Sequence, residues 1–343
     1  MSRPPSDAEQ LAFLADVQRI LDQGQFTATY KFALLLALVE LAVEDGDDSG
    51  GPATISLDAI AEKFIALYWT HTRPYRGATL VQNAGRNIAV LRQIEHLQRT
   101  SPRLSQARQL PEWKTLREAV RNVVVQMPLF RLQLLRNNHR LAFLYDNQVV
   151  GDKLTLKPGV VYCLRRFSSL IGTLVRSAWV EEVRRNPQNA YELDGQESLD
   201  LFLFGEERVD LAEVRDVLWD MQSGHCFYCD GRMGATPHVD HFIPWSAYPS
   251  NLGHNLVLAH PACNGDKSDL LAGVDHLMHW WERNERDGGA IAAALAPRGL
   301  ATGVQATKGI AAWAYHRARV AASLLWNGRG RVSPFPRTAQ LPF

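Results

Sequence analysis

The chain has 343 residues, longer than a typical single domain, so two or three packed units are expected, and hydrophobic residues at 46% are ample for their cores. No run of about eighteen apolar residues occurs, and the start MSRPPSDAEQ lacks the basic-then-apolar order of a leader, which argues against a membrane span and an export signal and points to the cytoplasm. The net charge is only +1, but it is unevenly spread. Residues 1–72 carry 4 Lys/Arg against 11 Asp/Glu, residues 73–189 carry 20 against 7, residues 190–272 carry 4 against 14, and residues 273–343 carry 9 against 4.

The first 72 residues read as helices. Residues 26–45, FTATYKFALLLALVELAVED, predict a strongly apolar helix capped near Thr27 or Thr29, followed by a turn at DGDDSGGP. Residues 56–75 start with Ser56 as an N-cap and place Ile60, Phe64, Leu67 and Tyr68 on one helical face. With the β-like ATIS at 53–56 this could build a winged-helix DNA reader, but a plain helical scaffold is the preferred reading because no basic recognition helix is evident. Residues 80–125 read as helical, broken at Ser101-Pro102 and Pro111. A short β-hairpin is expected over 128–147 and a strand pair over 154–164 around Pro158-Gly159. A long amphipathic helix runs from Arg165 and ends before Pro187. Residues 186–198, NPQNAYELDGQES, are the linker candidate. A boundary near 190 then separates a mostly helical region, 1–190, from a C-terminal region, 191–343.

Residues 209–224 predict a helix ended by Gly224. Beyond it, residues 225–269 concentrate three of the four cysteines and five of the eleven histidines. Two further helices follow, over 273–289 and 308–327, with Leu277, Trp280 and Trp281 on one apolar stripe. Aromatic residues at helical spacing are more often core than base-stacking platforms, and Trp280, Trp281 and Trp313 are read as core. The Gly pairs at 50–51 and 288–289 lack the strand-loop-helix context of a nucleotide site.

Within 225–269, Cys226-x-x-Cys229 and His260-x-x-Cys263 each have the two-residue gap that lets one turn present both ligands to a single ion. That is a Cys3His zinc site, and with all four positions filled by protein it is structural. His238 is the residue that could replace His260; His225 and His254 read as surface or loop-bracing. Cys163, the remaining cysteine, reads as a buried thiol, and the whole set suits a reducing compartment.

Cys-x-x-Cys, then Val-Asp-His-Phe-Ile-Pro, Asn-Leu-Val and Cys-Asn-x-x-Lys-Ser-Asp occur in that order. Over about fifty residues this resembles the HNH nucleases of the ββα-metal fold. The resemblance implies a mainly α, α+β protein: a helical N-terminal region with a C-terminal zinc-stapled ββα-metal module, motif core 225–269, flanked by helices. It implies that Asp240 and Asn264 bind a catalytic Mg²⁺ or Mn²⁺, that His241 is the general base, and that Asn255 braces the loop. Lys267, one helical turn beyond Asn264, would meet a substrate phosphate. On a flat strand Asp240 and His241 face opposite ways, so the strand must twist or end there, which Pro244 is consistent with.

The implied activity is endonuclease cleavage of double-stranded DNA. One module cuts one strand, so a double-strand break would need a homodimer or two encounters. The module itself is acidic, and phosphate contacts are expected from the arginines of 73–189 and the C-terminal tail. The alternative is that these arginines form solvated faces or pair with the acidic segments. A role in restriction or anti-phage defence, with a partner protein of such a system, rests on the resemblance alone. The competing readings are a non-catalytic zinc-knuckle module that recruits nucleic acid or a partner, and an RNA-cleaving nuclease.

Overall fold

Ser6 opens the first helix through a reciprocal cap. Its hydroxyl accepts from the Glu9 amide, and the Glu9 carboxylate accepts from the Ser6 N–H at 2.7 Å, closing a capping box on α1 (Asp7–Gln23). The computed structural model describes residues 3–24, 28–83, 89–190, 199–205 and 211–343, in two compact units, Met1–Gly205 and Glu206–Phe343. As expected, the chain is mainly helical with small sheets.

In the first unit the apolar stretch becomes α2 (Tyr30–Asp45), buried along nearly its whole length at the centre of the core. Thr29 stands at its N-cap position, but its hydroxyl is turned to Tyr68 Oη at 2.7 Å and Gln82 Oε1 at 3.2 Å. Thr27 lies outside the described residues. The ATIS segment forms β1 (Ala53–Ser56), and Ser56 Oγ accepts from the Asp58 amide to start α3 (Leu57–Trp69). α4 (Ala89–Gln98), α5 (Leu104–Ala107) and α6 (Glu112–Gln126) are separated at Ser101-Pro102 and Pro111, as the sequence indicates.

Residues 128–147 do not form the expected hairpin. They hold α7 (Pro128–Arg131), a 3-10 turn at Arg136–Asn138 and a single bridge between Leu134 and Arg140, and a strand, β2 (Tyr145–Val150), begins only at their end. Leu129, Leu132 and Leu135, three apart, are all buried, a spacing the interleaved arginines disguise as alternation. β3 (Lys153–Leu156) pairs antiparallel with both β1 and β2, giving the order β1-β3-β2. No second strand follows Pro158-Gly159. Gly159, at φ +81, instead begins α8 (Val160–Arg166), and a Cβ there would come within 2.8 Å of Pro5 Cγ. The long helix expected from Arg165 is broken at Phe167 into α8 and α9 (Ser168–Arg185), which does end before Pro187.

Residues 191–198 of the expected linker lie outside the described residues. Past the expected boundary at 190, α10 (Leu199–Phe204) belongs to the first unit: the Leu203 carbonyl lies 2.8 Å from His71 Nε2, and Phe204 packs edge-on against Trp179. Arg117, Arg121, Arg165 and Arg176 pair with Asp58, Glu62, Asp48 and Glu40 of the acidic front segment, so part of the basic stretch neutralises its own unit. Cys163 is buried, which pushes its thiol up to about 11.

The second unit begins with α11 (Leu211–Met221), and Gly224 at φ +72 turns the chain after it. β4 (His238–His241), β5 (Leu256–Ala259) and α12 (Pro261–Lys267) form a strand-strand-helix unit. β6 (Leu271–Ala272), α13 (Val274–Leu295) and α14 (Val304–Val320) follow. The apolar end of the last expected helix leaves it as β7 (Leu324–Trp326), which lies parallel to β6 and antiparallel to β8 (Val332–Pro334). Trp280 and Trp313 are core, and Phe242 stacks on Trp280 at 4.9 Å; Trp281 is half-buried against Phe343. Among the described residues no helix is long and apolar enough to cross a membrane.

Candidate metal centre and active site

The hairpin, the turn before it and the helix after it position the groups singled out in 225–269. β4 and β5 pair antiparallel with Asp240 opposite Val257 and His241 opposite Leu256, and α12 packs on β4. Cys226 and Cys229 lie in the turn before β4, where the Cys226 N–H donates to the Gly231 carbonyl and the Asp230 N–H to the Cys226 carbonyl, both at 2.9 Å. His260 is the N-cap residue of α12, and Cys263 follows within its first turn.

One nitrogen of His260 and the three cysteine sulfurs lie within 4.8 Å of one another. Tetrahedral zinc with Zn–S of about 2.3 Å sets its sulfurs roughly 3.8 Å apart, so the set fits the ion. His260 Nε2 lies 3.1 Å from the Arg232 carbonyl and donates to it, which leaves Nδ1, 3.3 Å from Cys229 Sγ, as the metal-facing nitrogen. Burial and the sulfurs of Cys226 and Cys229 push the Cys263 thiol up to about 12, a crowding of sulfur that a dication relieves. His238 stands apart from this cluster, its Nδ1 3.3 Å from Asn264 Nδ2. His254 braces a loop: Nδ1 accepts from the Gly303 N–H, and Nε2 lies 3.0 Å from the Gly288 carbonyl.

The polar set is more dispersed. Asp240 points inward, 8% exposed, where Oδ2 accepts from Tyr228 Oη at 2.5 Å and lies 3.1 Å from Lys267 Nζ. Lys267 is fully buried. Its ammonium also donates to the His241 carbonyl at 3.0 Å, so it faces the protein's own groups and does not present itself to a substrate phosphate. His241, the last residue of β4, points elsewhere: Nε2 lies 3.0 Å from Asn251 Oδ1, and its ring meets Trp245 edge-on at 5.2 Å. Because an amide oxygen accepts, Nε2 carries the proton, and Nδ1 keeps its lone pair. Burial pushes the His241 pKa down, so the ring is neutral at pH 7.

Asn255 clamps the bend after β4, accepting from the Ile243 N–H at 2.8 Å and donating to the Ile243 carbonyl at 2.9 Å. Asn264 gives its amide nitrogen to His238. The carboxylate of Asp240, the imidazole of His241 and the amide of Asn264 therefore share no hydrogen bond; Lys267 is the side chain that ties Asp240 to the His241 backbone. Oδ1 of Asp240 and Oδ1 of Asn264 make no hydrogen bond among the described residues, and two such oxygens suit a hard cation.

The model of the family described as HNH endonuclease matches residues 226–272, and that of the family described as Domain of unknown function (DUF8808) matches residues 10–202. The chain belongs to the DUF8808 family and carries an HNH module. No curated protein and no solved structure matches it. An HNH module supports a nuclease and makes nucleic acid the class of ligand for this DUF8808 protein. Sequence reasoning missed Tyr228 and Asn251. Tyr228 lies between two zinc ligands and reads as filler there, and Asn251 carries no spacing signal.

Proposed function

We propose that the C-terminal unit is a metal-dependent endonuclease hydrolysing phosphodiester bonds of double-stranded DNA, with His241 as general base. The observation that carries this reading is the state of His241: a neutral imidazole inside the HNH segment, held at Nε2 by Asn251, with Nδ1 left to accept a proton from water. Asp240 and Asn264 would hold Mg²⁺ or Mn²⁺ through oxygen. When bound, the ion offsets charge developing on the phosphate and the leaving oxygen. Asn255 fixes the bend that aims His241, and Lys267 is a positioning residue that holds Asp240 against the hairpin. A location in the cytoplasm, cleavage of both strands by a dimer, and service in restriction or anti-phage defence extend this reading. Survival of a deletion strain under phage challenge at the wild-type level would remove the last.

The test is supercoiled plasmid incubated with Mg²⁺ or Mn²⁺, comparing wild type with His241→Ala, and an RNA substrate in parallel. Nicking by wild type that falls about 100-fold or more in the variant is the expected outcome. Equal nicking by both takes His241 out of the mechanism. One observation favours a second reading, a zinc knuckle that binds without cutting: Lys267 already neutralises Asp240 from within the protein. No cleavage of either substrate by wild type would leave that reading standing.

A further inference from the structure

β7 and β8 are joined by Asn327-Gly328-Arg329-Gly330-Arg331, whose Asn-Gly start suits a tight turn. Gly328 at φ +117 and Gly330 at φ +69 take the left-handed positions, which leaves the alternate places to arginine. The Asn327 N–H donates to the Arg331 carbonyl at 2.8 Å, and the Arg331 N–H to the Gly328 carbonyl at 2.9 Å, closing the turn. A Cβ on Gly328 would come within 2.8 Å of Arg331 Nη2, so glycine there gives the guanidinium room to lie across the turn. Arg329 and Arg331 are both exposed. Among the described residues, the ion pairs of this unit join Lys267 to Asp240, Arg286 to Asp287 and Lys308 to Glu285, and include neither arginine of the turn.

The turn is fastened to the candidate site at two points. Asp266 of α12 accepts from Trp326 Nε1 at 2.7 Å and from the Gly330 N–H at 2.8 Å, both on one carboxylate oxygen. Trp326, the last residue of β7, is 1% exposed, and its ring meets Tyr228 edge-on at 5.0 Å. The Tyr228 hydroxyl in turn rests on Asp240. Asp266 lies on the far flank of α12 from Asn264, since residues two apart do not share a face, but a helix is only about 10 Å across. Duplex DNA carries a phosphate every ~3.4 Å of axis on each strand, so a strand lying at Asp240 and Asn264 would bring other phosphates to the turn within a few nucleotides.

The module needs such cations. Residues 190–272 carry 4 Lys/Arg against 14 Asp/Glu, and Lys267 is committed to Asp240 and the His241 carbonyl. A polyanion is held at an acidic surface only where cations from outside that surface meet its phosphates. A guanidinium suits the task, because its planar fork matches two phosphate oxygens.

We infer that the β7–β8 turn is a phosphate clamp, with Arg329 and Arg331 gripping the backbone of duplex DNA beside the candidate active site. Contacts of this kind fix affinity and register and carry no base preference. The choice of ligand rests on the nuclease reading, whereas the place of the clamp rests on the hairpin.

The experiment is fluorescence anisotropy of the full chain on a labelled duplex of about 20 base pairs, over about 50 to 200 mM KCl without divalent cation, beside plasmid nicking with Mg²⁺ or Mn²⁺. The double variant Arg329→Gln/Arg331→Gln is expected to bind about tenfold more weakly at low salt and to lower the slope of log affinity against log salt by about 2. Both side chains are exposed, so the melt should not move, and Arg329→Lys/Arg331→Lys should restore the slope. Binding that falls in the glutamine variant while no protein nicks DNA would keep the clamp and remove the nuclease reading. Nicking and binding equal in wild type and glutamine variant would keep the nuclease and remove the clamp. No binding by wild type at low salt, or a loss confined to a duplex RNA probe, would also overturn the inference.

Discussion

The four residues that could hold a metal and the polar trio share one hairpin, the turn before it and the helix after it, yet they are built differently. Cys226, Cys229, His260 and Cys263 converge on one point and need each other. Asp240, His241 and Asn264 are each held by a different neighbour: Tyr228 with Lys267, Asn251, and His238. A chelate is a property of short loops, whereas this polar trio is a property of how separate pieces are braced. Losing one ligand should therefore collapse a whole, and losing one polar residue should remove only its own role.

The sharpest break of that comparison is Cys226→Ser or Cys263→Ser. Zinc affinity in small sites is folding free energy, so either change is expected to abolish zinc in atomic absorption and the cooperative melt of the C-terminal unit. A stable, zinc-free variant would show that the cluster is dispensable. Next comes His241→Ala, expected to abolish nicking while leaving the melting temperature within about 3 °C of wild type, because removing a half-buried ring at the end of a strand costs only roughly 0.5 to 1 kcal/mol. A large fall would place His241 among the structural residues.

Asn255→Ala tests the bracing directly. It leaves both backbone groups of Ile243 unpaired in a buried bend, at a cost of about 3 kcal/mol in denaturant unfolding. A loss under about 1 kcal/mol would mean that the bend holds itself. Tyr228→Phe is expected to cost less than Asn255→Ala, about 1.5 kcal/mol, since Lys267 still faces Asp240. Urea denaturation resolves it, and a neutral result would make the 2.5 Å contact incidental.

That Cys226, Cys229, His260 and Cys263 come together was readable from spacing alone, because a two-residue gap already encodes a bite angle. The places of Asp240, His241, Asn255 and Asn264 were readable through motif order, and the end of β4 at His241 is what lets neighbouring residues of one strand turn to different surroundings. Lys267 was misjudged because one helical turn from Asn264 says which face it shares but not how deeply that face is sunk. In the first unit, Leu129, Leu132 and Leu135 were hidden by intervening polar residues, and Gly159 looked like a hairpin turn although its positive φ starts a helix. These are tertiary facts: an alternating pattern or a Pro-Gly pair is compatible with two local structures, and the core selects one. The capping box Ser6-x-x-Glu9, by contrast, was legible and unused.

The position of Tyr228 has a consequence for how the two halves of the module communicate. It is flanked by Cys226 and Cys229 in sequence while its hydroxyl rests on Asp240, so the loop whose cysteines could hold zinc also reaches the carboxylate. On the proposed nuclease reading, withdrawing zinc would release the tyrosine along with the loop, so that metal supply would govern the carboxylate as well as the fold of the C-terminal unit.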